Sequence, residues 1–215
     1  GISRPLSLYV HIPFCNTLCF YCACNKVVTK DFSKADQYVR YLIKEIDMQA
    51  ALLGKDHRVE QLHFGGGTPT FLSDDELRAV MGAIRRNFQL VADGEYSIEI
   101  DPRKVSDETI ALLGEVGFNR ISLGVQDFDA EVQRAVNRIQ SEEETLRVIH
   151  AARANGFKSV SIDLIYGLPK QTLEGFGVTL DKVIATDPAR LSIYNYAHMP
   201  TMFKPPGGIH EGDLP

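Results

Sequence analysis

All four cysteines of the chain lie within ten residues, as Cys15, Cys19, Cys22 and Cys24. Three thiolates at x3 and x2 spacing can hold one iron–sulfur cluster from a single loop and leave one iron without a protein ligand. Structural zinc sites usually take two Cys or His pairs that lie well apart in sequence, because two turns must approach the ion from different sides. The spacing therefore favours a cluster on Cys15, Cys19 and Cys22, and a compact zinc loop that uses all four thiols is the alternative.

Alternating strand and helix patterns must position this loop. Strands are predicted over residues 6–12, 61–64, 96–100, 120–125, 159–165 and 190–197. Helices are predicted over residues 34–53, 73–84, 106–116, 129–136, 141–154 and 172–186. The second helix begins with the capping-box spacing of Ser73 and Glu76. A faint repeat relates residues 117–124 to residues 156–163, so the pattern predicts an α/β barrel or a doubly wound sheet of six units.

The polar faces of the strands distinguish these two architectures. When the most apolar face of each strand is turned to the helices, the other face carries Tyr9, His11, His63, Ser97, Glu99, Ser122, Gln126, Ser161, Asp163, Tyr194, Tyr196 and His198. Barrel enzymes carry their chemistry at the carboxyl ends of the strands, so a polar interior predicts a wide mouth for a large ligand. We therefore expect an incomplete (β/α)6 TIM-like barrel. Inward carboxylates such as Glu99 and Asp163 need partners, either ligand groups or, for Asp163, an arginine such as Arg138.

Three consecutive glycines, Gly65, Gly66 and Gly67, follow the second predicted strand. Thr68 and Pro69 replace the Lys-Ser/Thr of a phosphate loop, so this is not a phosphate-binding motif. A glycine run lets a backbone edge approach a ligand with no side chain between them. A plain tight turn is the alternative.

Several longer motifs occur together. They are YVHIPFC at residues 9–15, FGGGTPT at 64–70, SIEIDP at 97–102, GVQDF at 124–128, VNR at 136–138 and DLIYGLP at 163–169. The combination resembles the radical S-adenosylmethionine (SAM) enzymes over nearly the whole chain. The ACNK segment at residues 23–26 resembles one branch, the oxygen-independent coproporphyrinogen III oxidases.

The resemblance implies a [4Fe–4S] cluster on Cys15, Cys19 and Cys22 and two SAM molecules, of which the first chelates the open iron. By the same resemblance, the first SAM contacts Tyr9, Gly66 and Glu99, and the second contacts Tyr21, Gly67, Thr68, Gln126, Arg138, Asp163 and Ala197. Cys24 is expected to be a proton or hydrogen donor near the substrate, with an inert buried thiol as the alternative.

The implied reaction starts when one electron splits SAM to give a 5′-deoxyadenosyl radical. This radical initiates the anaerobic oxidative decarboxylation of two propionate chains of coproporphyrinogen III to vinyl groups, a step of porphyrin and haem biosynthesis. A one-electron donor and an electron acceptor are also required, and the sequence identifies neither. Residues 1–215 are expected to form one radical SAM catalytic barrel, without the N-terminal arm and helical C-terminal domain of the family.

Composition agrees with an intracellular enzyme. The 215 residues, 44% of them hydrophobic, are enough to bury a substantial core. A net charge of −5 without a basic run argues against binding to duplex nucleic acid, and no apolar stretch has membrane-spanning length. Clustered free thiols fit the reducing cytoplasm, and we expect a monomer.

Two other functional classes remain open. The first is a haem-chaperone relative in the same superfamily, which keeps three cysteines but typically has an aromatic residue in place of Cys24 and Gly-Arg in place of Asn137-Arg138. The sequence sides with the oxidase at both positions. The second is a non-catalytic metal-binding module, which would be colourless and contain zinc when purified without oxygen.

Overall fold

The computed structural model describes residues 4–54, 57–201 and 209–215. The strands are β1 (Leu6–Ile12), β2 (Phe14–Cys15), β3 (Val27–Val28), β4 (Arg58–Gly66), β5 (Gln89–Ile100), β6 (Arg120–Gln126), β7 (Ser159–Tyr166) and β8 (Arg190–Asn195). The helices are α1 (Ser33–Leu53), α2 (Asp74–Asn87), α3 (Asp107–Val116), α4 (Ala130–Ala135), α5 (Glu142–Ala154) and α6 (Leu173–Ile184). Short 3-10 turns occur at Pro69–Phe71, Pro102–Lys104 and Glu211–Asp213.

Six strands form one parallel sheet in the order β1-β4-β5-β6-β7-β8. A doubly wound sheet reverses its strand order at a switch point, whereas this order follows the chain throughout. Within the described part of the chain, β1 and β8 are the two edges of the sheet. The predicted α/β fold with six parallel strands, an incomplete TIM-like barrel, is therefore confirmed; within the described residues, a helix follows each of the first five strands of the sheet but not β8.

The helix ends also follow the sequence signals. Ser73 and Glu76 form the predicted capping box at the start of α2, and α5 has a second capping box from Ser141 and Glu144. Gly54 ends α1 with a φ of 90°, a backbone conformation that favours glycine. The amphipathic face of α1 buries residues at helical spacing, including Val39 and Ile46.

The largest differences from the predicted strand boundaries are at the starts of β4 and β5, and β8 ends at Asn195 instead of residue 197. β4 begins at Arg58 and β5 at Gln89, both earlier than predicted, because Arg58 and Gln89 pair across the sheet ahead of an irregularity in register. At that irregularity, the Tyr96 hydroxyl links β4 to β5, because it lies within hydrogen-bond distance of the carbonyls of Val59, at 3.0 Å, and Val91, at 2.6 Å. The short pair of β2 and β3 was also not predicted, because two residues carry no measurable periodicity.

The sheet has an apolar face, which is buried, and a polar face, which is partly accessible. Residues of β5, β6 and β7 such as Ile98, Leu123 and Ile162 are completely buried, whereas their neighbours on the opposite face are partly accessible. Adjacent strands align these accessible residues, so that Glu99 pairs with Ser122 and Ser122 with Ser161. The predicted polar interior is therefore present. No helix within the described residues combines the length and the apolar character needed to cross a bilayer.

Candidate cofactor site

The loop with the cysteines leaves the carboxyl end of β1 and is closed at its base by backbone hydrogen bonds. Val27 N–H donates to the carbonyl of Pro13, and Thr29 N–H donates to the carbonyl of Cys15, both at 2.8 Å. These bonds flank the parallel pair of β2 and β3. They explain why a segment with no helix or long strand of its own still holds its cysteines in fixed positions.

The tip of the cysteine loop is fixed by the segment that follows α4. Phe20 N–H donates to the carbonyl of Val136 at 2.9 Å, and the Asn137 side chain donates to the carbonyl of Leu18 at 2.8 Å. Asn137 has a φ of 53°, a left-handed conformation that asparagine tolerates better than most residues. A glycine here could adopt the same backbone, but it could not make the side-chain bond to the loop.

The cysteine loop forms one wall of a cavity of about 280 Å³ at the carboxyl ends of the strands. Twelve of the fourteen predicted site residues line it: Cys15, Cys19, Tyr21, Cys22, Cys24, Gly66, Gly67, Thr68, Glu99, Gln126, Arg138 and Asp163. The topology thus gathers residues that are up to about 150 positions apart in the chain, as the barrel rule predicts.

The described residues do not form a ready-made site for a single metal ion, since no three His, Cys, Asp or Glu side chains among them converge closely enough. A zinc ion binds its sulfur ligands at about 2.3 Å, which requires such convergence. A cluster of four irons and four sulfides is larger and fits between thiols that are farther apart.

Cys19 is the buried cysteine of the set, and two guanidinium groups donate to its sulfur. The donor–sulfur distances are 3.7 Å from Arg138 and 3.8 Å from Arg103. Asp101 lies between the arginines, 2.7 Å from Arg103 and 3.7 Å from Arg138. Burial alone would raise the pKa of Asp101, but the Arg103 hydrogen bonds and the Arg138 charge hold that pKa below its ordinary value. Such a cationic setting suits a thiolate or an anionic cluster.

Cys22 and Cys24 share a hydrogen bond that shifts the pKa values of the two thiols in opposite directions. A hydrogen bond from Cys24 lowers the pKa of Cys22 to about 6 despite burial, with further help from the charge of Lys26. The same hydrogen bond, together with burial, raises the pKa of Cys24. Lys26 also donates to the carbonyl of Cys22 at 2.7 Å. The shared hydrogen bond and the charge of Lys26 thus favour the thiolate form at Cys22 rather than at Cys24.

Cys15 lies beside the glycine loop. Its sulfur is 3.6 Å from the Thr68 hydroxyl. Burial is the largest cause of a raised pKa at Cys15, and the nearby thiols of Cys22 and Cys19 raise it further. Repulsion among the three sulfurs is the electrostatic reason for a bound cationic metal centre, which would relieve it.

The glycine loop packs against the chain that leads into Cys15. A Cβ on Gly66, which has a φ of 119°, would lie 2.7 Å from the carbonyl oxygen of Ile12. A Cβ on Gly67 would lie 2.7 Å from the carbonyl oxygens of Pro13 and Phe14. These glycines are therefore required by contacts within the chain itself, and they leave bare backbone on the cavity side. The loop is more than a tight turn, because it holds the start of the cysteine loop.

Two carboxylates that line the cavity, Glu99 and Asp163, have different partners. Glu99 is 3.1 Å from Nε2 of His63, whose Nδ1 is 2.6 Å from the Ser97 hydroxyl. Asp163 accepts from the Ser122 hydroxyl at 3.0 Å, and burial raises its pKa above the ordinary value.

The alternative partner considered for Asp163, a salt link to Arg138, is wrong. Arg138 pairs with Asp101 at 3.7 Å and donates to the Gly124 carbonyl at 2.7 Å. Asp163 has hydroxyl partners instead, so its charge is not neutralised by an arginine. The carboxylate therefore remains available to a ligand.

Two buried polar atoms at this cavity have no hydrogen-bond partner within the described structure. They are Oε1 of Gln126 and Nε of Arg138. Buried polar groups are nearly always satisfied, so unpaired atoms on two side chains that border a cavity fit a polar ligand there. One atom accepts and the other donates, which suits a molecule with both kinds of group, such as SAM.

Tyr9 and Ala197 are the two predicted residues that do not line the cavity. The Tyr9 ring stacks on His63 with centroids 5.9 Å apart, and its hydroxyl is 3.0 Å from Nδ1 of His11. A Cβ on Gly65 would contact both the Tyr9 ring and Glu99, so Tyr9 borders the site. Ala197 follows the end of β8, where Tyr194 reaches the cavity.

Sequence reasoning missed three charged residues of the site. Lys26, Asp101 and Arg103 line the same cavity. The position of Asp101 and Arg103 directly after the carboxyl end of β5 was an available signal, because barrel chemistry is concentrated there. The pairing of Arg138 with Asp101 could not be read from the chain, since it joins residues 37 positions apart.

Comparison with known proteins also indicates a site for an iron–sulfur cluster and SAM. The family model for the radical SAM superfamily matches residues 9–183. Oxygen-independent coproporphyrinogen III oxidases of Pseudomonas aeruginosa and Escherichia coli are 55% and 53% identical over 99% of this chain. A solved E. coli coproporphyrinogen III oxidase, described as a radical SAM enzyme, superposes with a TM-score of 0.95 at 52% identity and covers 99% of this chain.

The chain spans about half the length of these relatives, with 46% of each curated protein and 49% of the solved chain covered. The family match itself extends over most of this chain and includes the three cysteines and both carboxylates. The chain therefore belongs to the radical SAM superfamily, whose cofactors are a [4Fe–4S] cluster and S-adenosylmethionine.

Proposed function

We propose that this chain is the catalytic barrel of an oxygen-independent coproporphyrinogen III oxidase. Such an enzyme converts two propionate chains of coproporphyrinogen III to vinyl groups and yields protoporphyrinogen IX. The observation that carries this proposal is the identity of 53–55% to relatives of that name over 99% of the chain. Because the relatives are about twice as long, we expect part of the substrate enclosure to lie outside the barrel described above.

The residues at the cavity suit the two cofactors. Cys15, Cys19 and Cys22 would hold the cluster, and the first SAM would lie near Tyr9, Gly66 and Glu99. The second SAM would contact Tyr21, Gly67, Thr68, Gln126, Arg138, Asp163 and Ala197. The unpaired atoms of Gln126 and Arg138 support a polar ligand on that side. When bound, the cofactors supply a 5′-deoxyadenosyl radical that removes a hydrogen atom from a propionate chain.

The side chains at the cavity have two kinds of role: some accept hydrogen bonds from the ligands and others exclude water. Glu99, held by His63, can accept from ligand hydroxyl or ammonium groups. Asp163, two strands away on β7, can accept hydrogen bonds from similar ligand groups, and a cationic ligand would offset the burial that raises its pKa. Apolar side chains such as Ile100 and Ile165 border the same space and help to exclude water.

Cys24 fits a donor role better than a ligand role. It lines the cavity, and its hydrogen bond to Cys22, together with burial, raises the pKa of its thiol. Its placement at an accessible position argues against the inert buried thiol considered as the alternative. We propose Cys24 as a proton or hydrogen donor beside the substrate.

The remaining components follow from the chemistry. One electron must enter from a donor, and each decarboxylation releases one electron to an acceptor. We propose a cytoplasmic monomer, and free clustered thiols support a reducing compartment. Asn137 supports the oxidase over the haem-chaperone class, since its side chain anchors the cysteine loop where a glycine could not.

The test is an anaerobic assay of the full-length protein with coproporphyrinogen III, SAM and a reductant. We expect vinyl product and 5′-deoxyadenosine, and a protein with an intact cluster that forms neither would overturn the proposal. Glu99→Ala should weaken the SAM-induced change in the cluster EPR signal, whereas Asp163→Ala should spare that change and reduce turnover. Glu115→Ala, which removes an exposed carboxylate paired with Arg78, is the matched control. Identical behaviour of the two site variants would contradict the assignment of two SAM sites.

A further inference from the structure

Arg103 lies at the cavity but has no role in the proposed function. It belongs to the turn Pro102–Lys104, directly after β5, and its side chain is 10% exposed. Its terminal nitrogen donates to the sulfur of Cys19 at 3.8 Å.

The geometry of Arg103 is fixed by one carboxylate. Its Nε lies 2.9 and 3.2 Å from the two oxygens of Asp101, and its terminal nitrogen is 2.7 Å from Oδ2. The turn itself is capped separately, because the backbone N–H of Arg103 donates to Asp101 at 3.1 Å. The guanidinium is thus not needed for the cap, and the carboxylate holds it toward Cys19.

The two arginines and the one carboxylate around Cys19 leave a net positive charge beside its sulfur. Arg103 and Arg138 both donate to its sulfur, and Asp101 is the carboxylate that pairs with both of them. Reduction adds an electron to a cluster whose net charge and sulfur hydrogen bonds set its potential. A fixed positive group that donates to a ligand sulfur stabilises the reduced form more than the oxidised form.

We propose that Arg103 is a positioning residue that acts through Cys19 to raise the reduction potential of the cluster. This inference rests on the proposed ligation by Cys15, Cys19 and Cys22. It requires neither SAM nor substrate, and Asp101 is the group that keeps Arg103 in place.

The test is an EPR-monitored redox titration of cluster-loaded protein without SAM, in which the cluster gains one electron from dithionite. Arg103→Gln should lower the ratio of reduced to oxidised cluster about tenfold at a fixed potential, which corresponds to 59 mV for a one-electron couple. Arg103→Lys should give a smaller decrease, because it keeps the charge but loses the planar fork. Arg78→Gln removes the same charge from an exposed pair and should leave the midpoint unchanged.

Equal midpoints in Arg103→Gln and Arg78→Gln would overturn the inference. If Arg103→Gln does not load a cluster, an Arg103→Lys midpoint equal to that of the unmodified protein would overturn it as well. Failure of the proposed function would be distinct, since it would appear as absent vinyl product from the unmodified full-length enzyme whatever the midpoints of the variants.

Discussion

Gly67→Ala should destabilise the protein, whereas Gly177→Ala should stabilise it, although the chemical change is the same. The new Cβ at position 67 would lie 2.7 Å from two carbonyl oxygens and 2.8 Å from a carbonyl carbon. These are backbone atoms of Pro13 and Phe14, so the start of the cysteine loop must shift. Forced overpacking of this kind costs about 1–3 kcal/mol.

The control position lies inside α6, where a Cβ on Gly177 meets no atom within 4 Å. Replacing a glycine by alanine in a helix interior contributes about 0.5–1 kcal/mol. For a chain of this size, 1 kcal/mol corresponds to about 2–4 °C in Tm. We therefore expect a Tm lower by about 2–12 °C for Gly67→Ala and higher by about 1–4 °C for Gly177→Ala.

The assay is thermal unfolding followed by circular dichroism, under anaerobic and reducing conditions, with iron content measured after reconstitution. Gly67→Ala should also bind less iron, because the shifted backbone leads directly into Cys15. A Gly67→Ala protein with unchanged Tm and full iron content would refute the reasoning that the glycine loop holds the cysteine loop in place.

Three further outcomes are expected. Cys19→Ser should abolish the brown colour and iron binding, whereas Cys24→Ser should retain both; equal iron loss, measured by absorbance and metal analysis, would make Cys24 a ligand. Asp163→Asn should raise Tm near neutral pH. Burial raises the pKa of Asp163 in the folded state, so the charged carboxylate lowers the free energy of unfolding at pH values above that pKa. This gain should shrink as the pH falls toward the ordinary pKa of 3.8, and a pH-independent Tm difference would contradict the assignment. Gln140→Leu should lower the free energy of unfolding by about 1–3 kcal/mol in urea titrations, because Arg138 and Thr145 lose a buried partner; an unchanged midpoint and slope would show that these hydrogen bonds contribute nothing.

Local signals in the sequence predicted the fold well. β1 has its predicted bounds, and the capping box at Ser73 and the glycine stop at Gly54 occur where expected. These features depend on neighbours within a few residues, so the chain carries all the information needed. The longer β4 and β5 depend on pairing across the sheet, and polar residues such as Asp93 hid the early part of β5.

At the candidate site too, local signals were predictable from the sequence and long-range pairings were not. Alternation along the strands correctly placed Glu99, Gln126 and Asp163 at one cavity. The partner of Arg138 was not predictable, because the choice between Asp101 and Asp163 depends on side-chain directions in three dimensions. The binding roles of the predicted SAM contacts stay predictions, since they concern molecules rather than chain contacts.

The most direct test of the cofactor site is the iron and sulfide content of the anaerobically reconstituted chain, together with its EPR spectrum before and after addition of SAM. We expect about four irons and four sulfides per chain and a signal of the reduced cluster that changes when SAM binds the open iron. A colourless protein that contains zinc, or a cluster signal that SAM leaves unchanged, would contradict the three-cysteine site.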